Sequence, residues 1–313
     1  MANFLIVLLV AALVLLGGFT IWLILVNTGA SRLMRRRRPD PDDPPSNYGL
    51  DYEEISFISR DHIKIVGWWI PAPEAVGTIV VCSGQNGSMD GDTKQIPPLH
   101  EAGFNVLMFD FRAHGRSEGD CVTMGMYEKE DLLGALDYLG DVRGIVRVGV
   151  LGFSMGAAVA LITAALSDRI CAVVADGSFG RLKRTLTEYA TQRGVPEFIA
   201  RSLAGGVLAT AALRTEGRLD QVDPIRWTLH IGPRPILFIH GNNDRYVSMG
   251  EVDRMAGLAQ GPVDVWVVDG VGHRGAHGAD PVEYNRRVVG WFRQHLIEPV
   301  TADAKPIAPY KQL

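Results

Sequence analysis

The chain has 313 residues and a formal net charge of −4, and 47% of its residues are hydrophobic while 21% are charged. This length allows one large domain or two small ones, and the composition is typical of a packed globular protein. The slightly acidic balance gives no reason to expect nucleic acid as a partner. Three cysteines do not make a disulfide framework, and no Cys or His spacing suggests zinc, so we expect no metal and no organic cofactor.

The amino terminus predicts a membrane anchor within residues 1–30. Residues 4–26 contain no charged side chain. At about 1.5 Å per residue they are long enough to cross a hydrocarbon core of about 30 Å. The alternative is a cleaved signal peptide, which usually has a positive first region and a shorter apolar core. Thr28-Gly29-Ala30 fits the pattern of a cleavage site, so this alternative stays open.

A basic and Pro/Asp-rich linker, residues 31–50, follows the apolar segment. Five arginines (Arg32 and Arg35 to Arg38) lie directly after it, whereas no charged side chain precedes it. The positive-inside rule therefore predicts a single-pass protein with the remaining chain on the cytoplasmic side. The arginines either attract anionic lipid or act only as a stop-transfer signal, and we favour the second. Residues 39–45 predict a stiff, extended spacer that holds the domain off the membrane.

Residues 51–298 predict one α/β domain, followed by a tail at residues 299–313. Residues 52–58 and 63–70 predict a hairpin, after which strands alternate with helical segments. This alternation is typical of a mostly parallel sheet with helices on both faces. The helical segments are residues 93–102, which contain two prolines, and residues 127–139, 155–166, 249–258 and 281–295.

The segment Gly152-Phe153-Ser154-Met155-Gly156 is the most informative motif. It lies between an apolar strand, residues 146–151, and a helix rich in small residues. A Gly-x-Ser-x-Gly turn in this context is a nucleophile elbow, which exposes the serine hydroxyl at the edge of the sheet. We expect a side chain at position 152 or 156 to collide with neighbouring backbone. Ser154 is therefore the candidate nucleophile.

An activated serine also requires donors for the oxyanion that forms in its transition state. One is the backbone N–H of Met155, the residue after the serine. The second is expected from the loop after the third strand, residues 78–82. That loop, residues 83–88, is small and Gly-rich, and we select Gln85 as the donor with Asn86 as the alternative.

A long insertion separates two strands of the predicted sheet. It includes residues 182–192 and 197–213, which both have helical patterns, and predicts a short helical lid at about residues 178–230. Its apolar side chains either line an acyl pocket or pack on the core, and we expect packing for most of them. They are Phe198, Ile199, Leu203, Val207, Leu208 and Leu213.

An acid and a base follow in the chain order that a nucleophile elbow requires. Asp244 comes after the strand of residues 235–240, and His273 comes after the strand of residues 263–268. Parallel strands bring their carboxyl ends to one edge of the sheet, so Ser154, Asp244 and His273 are predicted to meet there. The alternative acid is Asp176, and the alternative base is His277.

Together these motifs resemble the α/β-hydrolase superfamily over about residues 52–296. Asp110-Phe111-Arg112-Ala113-His114-Gly115-Arg116-Ser117 also resembles the loop after that family's fourth strand, with Ala113 in place of the usual glycine. A second departure is Ser83-Gly84 where many relatives have His-Gly. The resemblance implies an α/β-hydrolase fold with an eight-stranded sheet and a Ser154–His273–Asp244 triad. It is nearest to membrane-anchored esterases and acyl-thioesterases.

The resulting expectation is a membrane-tethered serine hydrolase. It would cleave small-molecule or lipid esters or thioesters through an acyl-enzyme on Ser154. A serine peptidase of the same fold is one alternative, and a non-catalytic binding protein of this fold is another. A dehalogenase or epoxide hydrolase is disfavoured because those enzymes would have aspartate at position 154.

Overall fold

The computed structural model describes residues 2–215, 217 and 222–297. The predicted tail and the predicted domain end at residue 298 therefore lie outside the described residues. The chain begins with a helix, α1 (Ala2–Leu33). Within the described part of the chain, only this helix is both long and apolar enough to span a membrane, a property that membrane anchors and signal sequences share.

An eight-stranded sheet forms the centre of the domain, as the sequence predicted. Its order is β1-β2-β4-β3-β5-β6-β7-β8. Strand β2 runs antiparallel to both of its neighbours, and all other neighbouring strands are parallel. The strands are β1 (Glu53–Ile58), β2 (Lys64–Ile70), β3 (Gly77–Cys82), β4 (Phe104–Phe109), β5 (Val148–Phe153), β6 (Ile170–Asp176), β7 (Ile236–Gly241) and β8 (Val263–Val268).

Helices cover both faces of this sheet. Because successive strand residues point to opposite faces, Val80 and Cys82 pack in one core cluster, whereas Ile79 and Val81 pack in the other. The first cluster includes residues of the helices at 128–143, 155–166 and 249–258, and the second includes residues of the helices at 97–101 and 281–292. These helices and the remaining ones are α2 (Pro97–Glu101), α3 (Glu128–Arg143), α4 (Met155–Leu166), α5 (Leu182–Thr191), α6 (Glu197–Thr215), α7 (Met249–Leu258), α8 (Ala276–Ala279) and α9 (Pro281–Phe292).

One predicted helix is divided in two. The segment predicted as a helix over residues 93–102 consists of a 3₁₀ turn, Met89–Gln95, followed by α2. Proline has no backbone N–H and disrupts a helix interior, but it suits the first turn. Pro97 and Pro98 accordingly begin α2 instead of continuing a longer helix.

The juxtamembrane linker is bonded to the domain, which differs from the spacer that its composition predicted. Arg35 forms an isolated β-bridge with Cys121, and the Arg37 backbone N–H donates to the Ala113 carbonyl at 2.8 Å. Asp40 and Ser88 exchange two hydrogen bonds, at 2.9 and 2.8 Å. These partners are remote in sequence, so the extended segment is held by contacts that its composition does not reveal.

The lid consists of α5 and α6, close to the two helical segments predicted for it. Leu208 packs against the core, as expected for most of the apolar lid residues. Phe198 and Leu213 instead expose 76% and 83% of their surface. These two side chains are exceptions to the packing expected for most of the apolar lid residues.

Candidate active site

Ser154 occupies the strained turn expected of a nucleophile elbow. Its φ of 52° and ψ of −110° are uncommon for a residue with a side chain. A Cβ at Gly152 would lie 2.5 Å from the Gly156 carbonyl oxygen, and a Cβ at Gly156 would lie 2.1 Å from the Cys82 carbonyl oxygen. Both glycines are therefore required by close backbone packing, which agrees with the predicted collisions.

The structure brings the three predicted triad residues into one hydrogen-bonded chain. The Nε2 atom of His273 lies 2.9 Å from Ser154 Oγ. The opposite ring nitrogen, Nδ1, lies 2.6 Å from Asp244 Oδ2. When Nδ1 carries the proton and donates it to the carboxylate, Nε2 is free to accept the proton of the serine hydroxyl. The arrangement has the geometry that a serine nucleophile requires.

The Asp244 carboxylate is buried and held on both of its oxygens. Oδ2 faces His273, and Oδ1 accepts hydrogen bonds from the backbone N–H groups of Tyr246 and Val247, at 2.7 and 3.1 Å. Burial raises the pKa of this carboxyl, but the hydrogen bond and charge of His273 and the two backbone donors outweigh it, so the pKa lies below its ordinary value. Asp244 therefore stays ionised beside the imidazole.

His240 lies beneath this carboxylate, with its Nε2 3.9 Å from Asp244 Oδ2. Burial lowers the pKa of His240, which favours the neutral ring. Its Nε2 also lies 2.9 Å from the Val247 carbonyl oxygen, a contact that orients the ring within the strand end. A neutral His240 leaves the charge of Asp244 to act on His273.

The two alternative residues lie in other environments. Asp176 is buried and accepts a hydrogen bond from the Tyr284 hydroxyl at 3.0 Å, and burial raises its pKa to about 6. His277 packs edge-on against the ring of Tyr284, with the ring centroids 5.2 Å apart. The geometry therefore favours Asp244 and His273, and the catalytic roles of all four residues remain predictions.

The residues predicted to donate to the oxyanion lie on the two segments next to Ser154. Met155 begins α4, where a backbone N–H has no acceptor inside its helix. Gly84 is adjacent to the serine, because a Cβ placed on it would lie 3.6 Å from Ser154 Cβ. The Gln85 side chain points away and donates to the Leu33 carbonyl at 3.1 Å, so any role of Gln85 as a donor belongs to its backbone N–H. Asn86 lies in the same loop and lines the cavity above the serine.

His114 contacts this oxyanion loop and was not selected from the sequence. Its Nε2 lies 2.8 Å from the Gln85 carbonyl oxygen, and its Nδ1 lies 2.8 Å from the Arg112 carbonyl oxygen. The ring is almost fully buried. The signal for His114 is its position in the Asp110–Ser117 motif, which resembles the loop after the family's fourth strand.

An ionic cluster beside the site was also missed. Arg274, the residue after His273, forms an ion pair with Asp92, and its guanidinium lies 4.5 Å above the Phe153 ring. The nearby charges of Asp92 and Asp176 outweigh the effect of burial and raise the Arg274 pKa. The cluster ties the His273 loop to the turn before α2, and no local motif marks residues so far apart in sequence.

A cavity of about 760 Å³ lies above Ser154, within the usual range for small-molecule sites. Its floor contains Ser154, His273 and residues of the oxyanion loop, and most of its wall is apolar. The lid helices supply much of that wall, including Leu182, Leu186, Leu203 and Val207. Helix α1 supplies Leu25, Gly29, Arg32 and Leu33. Leu203 and Val207, for which the sequence left both pocket lining and core packing open, therefore line the cavity.

Within residues 2–215, 217 and 222–297, no group of three or more His, Cys, Asp or Glu side chains is placed to hold a metal ion. The three cysteines are free thiols, and Cys82 and Cys171 are buried, as expected for core strands.

Comparisons with known proteins agree with the fold. A family model described as the alpha/beta hydrolase fold matches residues 77–198. The uncharacterized protein YqkD of Bacillus subtilis is 27% identical over 78% of this chain and 76% of its own length. The uncharacterized protein YfhR of Escherichia coli K12 is 29% identical over 71% of this chain and 74% of its own length.

A solved structure extends this likeness to three dimensions. The esterase Pf2001 of Pyrococcus furiosus superposes with a TM-score of 0.71 at 26% identity, covering 84% of this chain and 98% of the esterase. The chain therefore has the α/β-hydrolase fold.

Proposed function

We propose that the protein is a membrane-tethered serine hydrolase that cleaves carboxylic esters or thioesters through an acyl-enzyme on Ser154. The observation that carries the proposal is the bridging position of His273, with one ring nitrogen 2.9 Å from Ser154 Oγ and the other 2.6 Å from Asp244. A serine hydroxyl is a weak nucleophile alone, and this contact supplies the base that activates it.

The reaction follows from these positions. Ser154 Oγ attacks the acyl carbon while its proton passes to His273 Nε2, and Asp244 stabilises the imidazolium that results. The oxyanion accepts hydrogen bonds from the backbone N–H groups of Met155 and Gln85. His273 then protonates the leaving alcohol or thiol, and the acyl group remains on Ser154. Water, deprotonated by the same imidazole, releases the acid and restores the serine.

Two observations favour an ester or thioester over a peptide. The cavity wall beside Ser154 is mostly apolar, which suits an acyl chain better than a polar peptide backbone. The solved structure at 26% identity is an esterase. We assign the same bond class to this chain, with its acyl group held under the lid.

Retention of the amino-terminal helix is supported by its contacts with the domain. Val26 and Ala30 on its last turns are fully or almost fully buried, and Met34 follows them in the core. Cleavage after Ala30 would remove part of the core and open the cavity, so the helix functions as an anchor. The adjacent arginines favour a cytoplasmic domain by the positive-inside rule.

Labelling with a fluorophosphonate tests the proposed nucleophile. Full-length protein in detergent or nanodiscs is treated with the probe beside Ser154→Ala, and the labelled peptide is identified by mass spectrometry. We expect covalent modification of the wild type at Ser154 and none of the variant. A folded wild type that is not modified in either medium would contradict the proposal.

Labelling with a fluorophosphonate that cannot cross membranes tests on which side of the membrane the domain lies. In vesicles from a bacterial expression host, we expect modification of Ser154 when the cytoplasmic face is outward. Right-side-out vesicles should be modified only after detergent is added. The reverse pattern would place the domain on the opposite side of the membrane while leaving the serine chemistry intact.

A further inference from the structure

The anchor helix packs directly on the lid. A Cβ at Gly206 of α6 would lie 2.6 Å from Val26 Cγ2 and 2.7 Å from Trp22 Cζ2. A Cβ at Gly29 of α1 would lie 2.6 Å from Val207 Cγ2. Glycines at these contacts let the two helices approach closely, as small residues do between membrane helices.

Polar contacts fix the relative position of these two helices. Trp22 Nε1 donates to Ser202 Oγ at 3.1 Å. Near the other end of the contact, Arg214 donates to Ser31 Oγ at 2.9 Å and to Asn27 Oδ1 at 2.5 Å. The contacts run in the same order along both helices, so α6 lies beside the last three turns of α1.

This contact brings the lid to the level of the bilayer surface. Residues 4–22 would span about 28 Å as a helix, nearly the thickness of a hydrocarbon core. That places Trp22 at the interface, where tryptophan is enriched. Phe198 and Ile199 begin α6 on the membrane side of this point, and they expose 76% and 38% of their surface. Exposed apolar side chains at that level suit contact with lipid.

The cavity above Ser154 extends to the same boundary. Leu25, Gly29 and Leu33 of α1 form one side of its wall, and Leu203 and Val207 of α6 form the adjoining side. Leu25 lines the cavity although 51% of its surface is exposed. Because Leu25 both lines the cavity and is exposed at the surface, it lies at the rim of the cavity. The cavity therefore opens where α1 leaves the bilayer.

We propose that α1 is part of the acyl-binding site and that the substrate is a membrane lipid whose long acyl chain enters from the bilayer at the cavity rim, beside the contact of α1 with α6. This inference rests on the proposed function, since it names the substrate class of the same serine. The chain passes Leu25 and Leu203 to place its carbonyl beside Ser154. A short acyl group fits beside the serine without occupying the rim.

Tryptophan substitution at the rim tests this path. Leu25→Trp and Leu203→Trp are compared with Leu15→Trp and Leu213→Trp, which lie on the same two helices at exposed positions outside the cavity. All are full-length proteins in nanodiscs, and kcat/KM is measured for p-nitrophenyl decanoate and p-nitrophenyl acetate. Thermal unfolding by intrinsic fluorescence verifies that each variant is folded.

We expect the decanoate-to-acetate ratio of kcat/KM to fall roughly tenfold or more in both rim variants, because an indole at the rim obstructs only the long chain. The ratio should be unchanged in the two control variants. Equal ratios in rim and control variants would overturn the inference and leave the serine hydrolase intact. A wild type that hydrolyses neither ester would overturn the proposed function and this inference together.

Discussion

The two oxygens of the Asp244 carboxylate have separate tasks. Oδ1 accepts hydrogen bonds from two backbone N–H groups and so shapes its own loop, whereas Oδ2 accepts a hydrogen bond from Nδ1 of His273. Substitution by asparagine separates these tasks, because the amide oxygen continues to hold the loop while the amide nitrogen faces the imidazole. The imidazole then has to accept at Nδ1 and carries its proton on Nε2, where it cannot serve as base.

For Asp244→Asn we therefore expect kcat for p-nitrophenyl acetate to fall by roughly 10⁴-fold, the effect of this change in other Ser-His-Asp enzymes. The melting temperature should stay close to that of the wild type because the loop is retained. A variant that keeps most of its activity would show that Asp244 does not orient His273. Asp176→Asn would then be the next variant to assay.

The raised pKa of Asp176 makes the free energy of unfolding decrease as the pH rises. Burial raises its pKa from 3.8 to about 6, so the folded protein binds more protons than the unfolded chain between these values. This residue therefore lowers the free energy of unfolding as the pH rises through that window. Asp176→Asn removes the titration, and the amide oxygen can still accept from Tyr284.

We expect the melting temperature of Asp176→Asn, relative to the wild type, to increase between about pH 4 and about pH 6 and then to level off. Differential scanning fluorimetry across that range measures it. A difference that is constant, or that decreases with pH, would show that the folded carboxyl does not titrate above its ordinary value.

At the scale of elements, the elbow depends on the distance between the start of α4 and the end of β3. A methyl group at position 156 would lie 2.1 Å from the Cys82 carbonyl oxygen, so Gly156→Ala has to displace backbone. Gly290 provides a matched comparison, because it is an exposed helical glycine in α9 with nothing within 4 Å of a Cβ. The same substitution should have opposite effects at the two positions.

We expect Gly156→Ala to lower the free energy of unfolding by roughly 1–3 kcal/mol, as overpacking does. Gly290→Ala should raise it by roughly 0.5–1 kcal/mol through helix propensity. Thermal unfolding of the full chain in nanodiscs compares the two. Stabilisation by both substitutions would mean that the elbow is looser than its close contacts indicate.

The same elements explain what the sequence could predict. Helices α4 and α7 and strand β8 begin and end where they were predicted, because long apolar patterns with clear flanking turns specify them locally. The chain order of Ser154, Asp244 and His273 predicted their meeting, since parallel strands end at one edge. The division near Pro97 was missed because the segment's helical pattern was given more weight than its prolines.

Other features depend on partners too distant for any pattern. Arg274 and Asp92 are 182 positions apart, and neither belongs to a motif. The bonds between Asp40 and Ser88 likewise depend on the folded domain. The exposure of Phe198 was missed for a different reason. An apolar residue on a helix of a water-soluble domain is expected to be buried, whereas the proposed contact of α6 with lipid would favour its exposure.

At the scale of the whole molecule, the bonded linker sets how the proposed enzyme searches for substrate. Arg36 donates to the carbonyl oxygens of Gly119 and Ser117 at 2.7 Å each, directly after α1. The domain is therefore held close to the end of α1 and cannot move away from the membrane surface on a flexible linker. Its encounters are restricted to two-dimensional diffusion within one leaflet. Turnover should then follow the mole fraction of substrate in the bilayer, so diluting a fixed amount of substrate with inert lipid slows the enzyme even when its bulk molarity is constant.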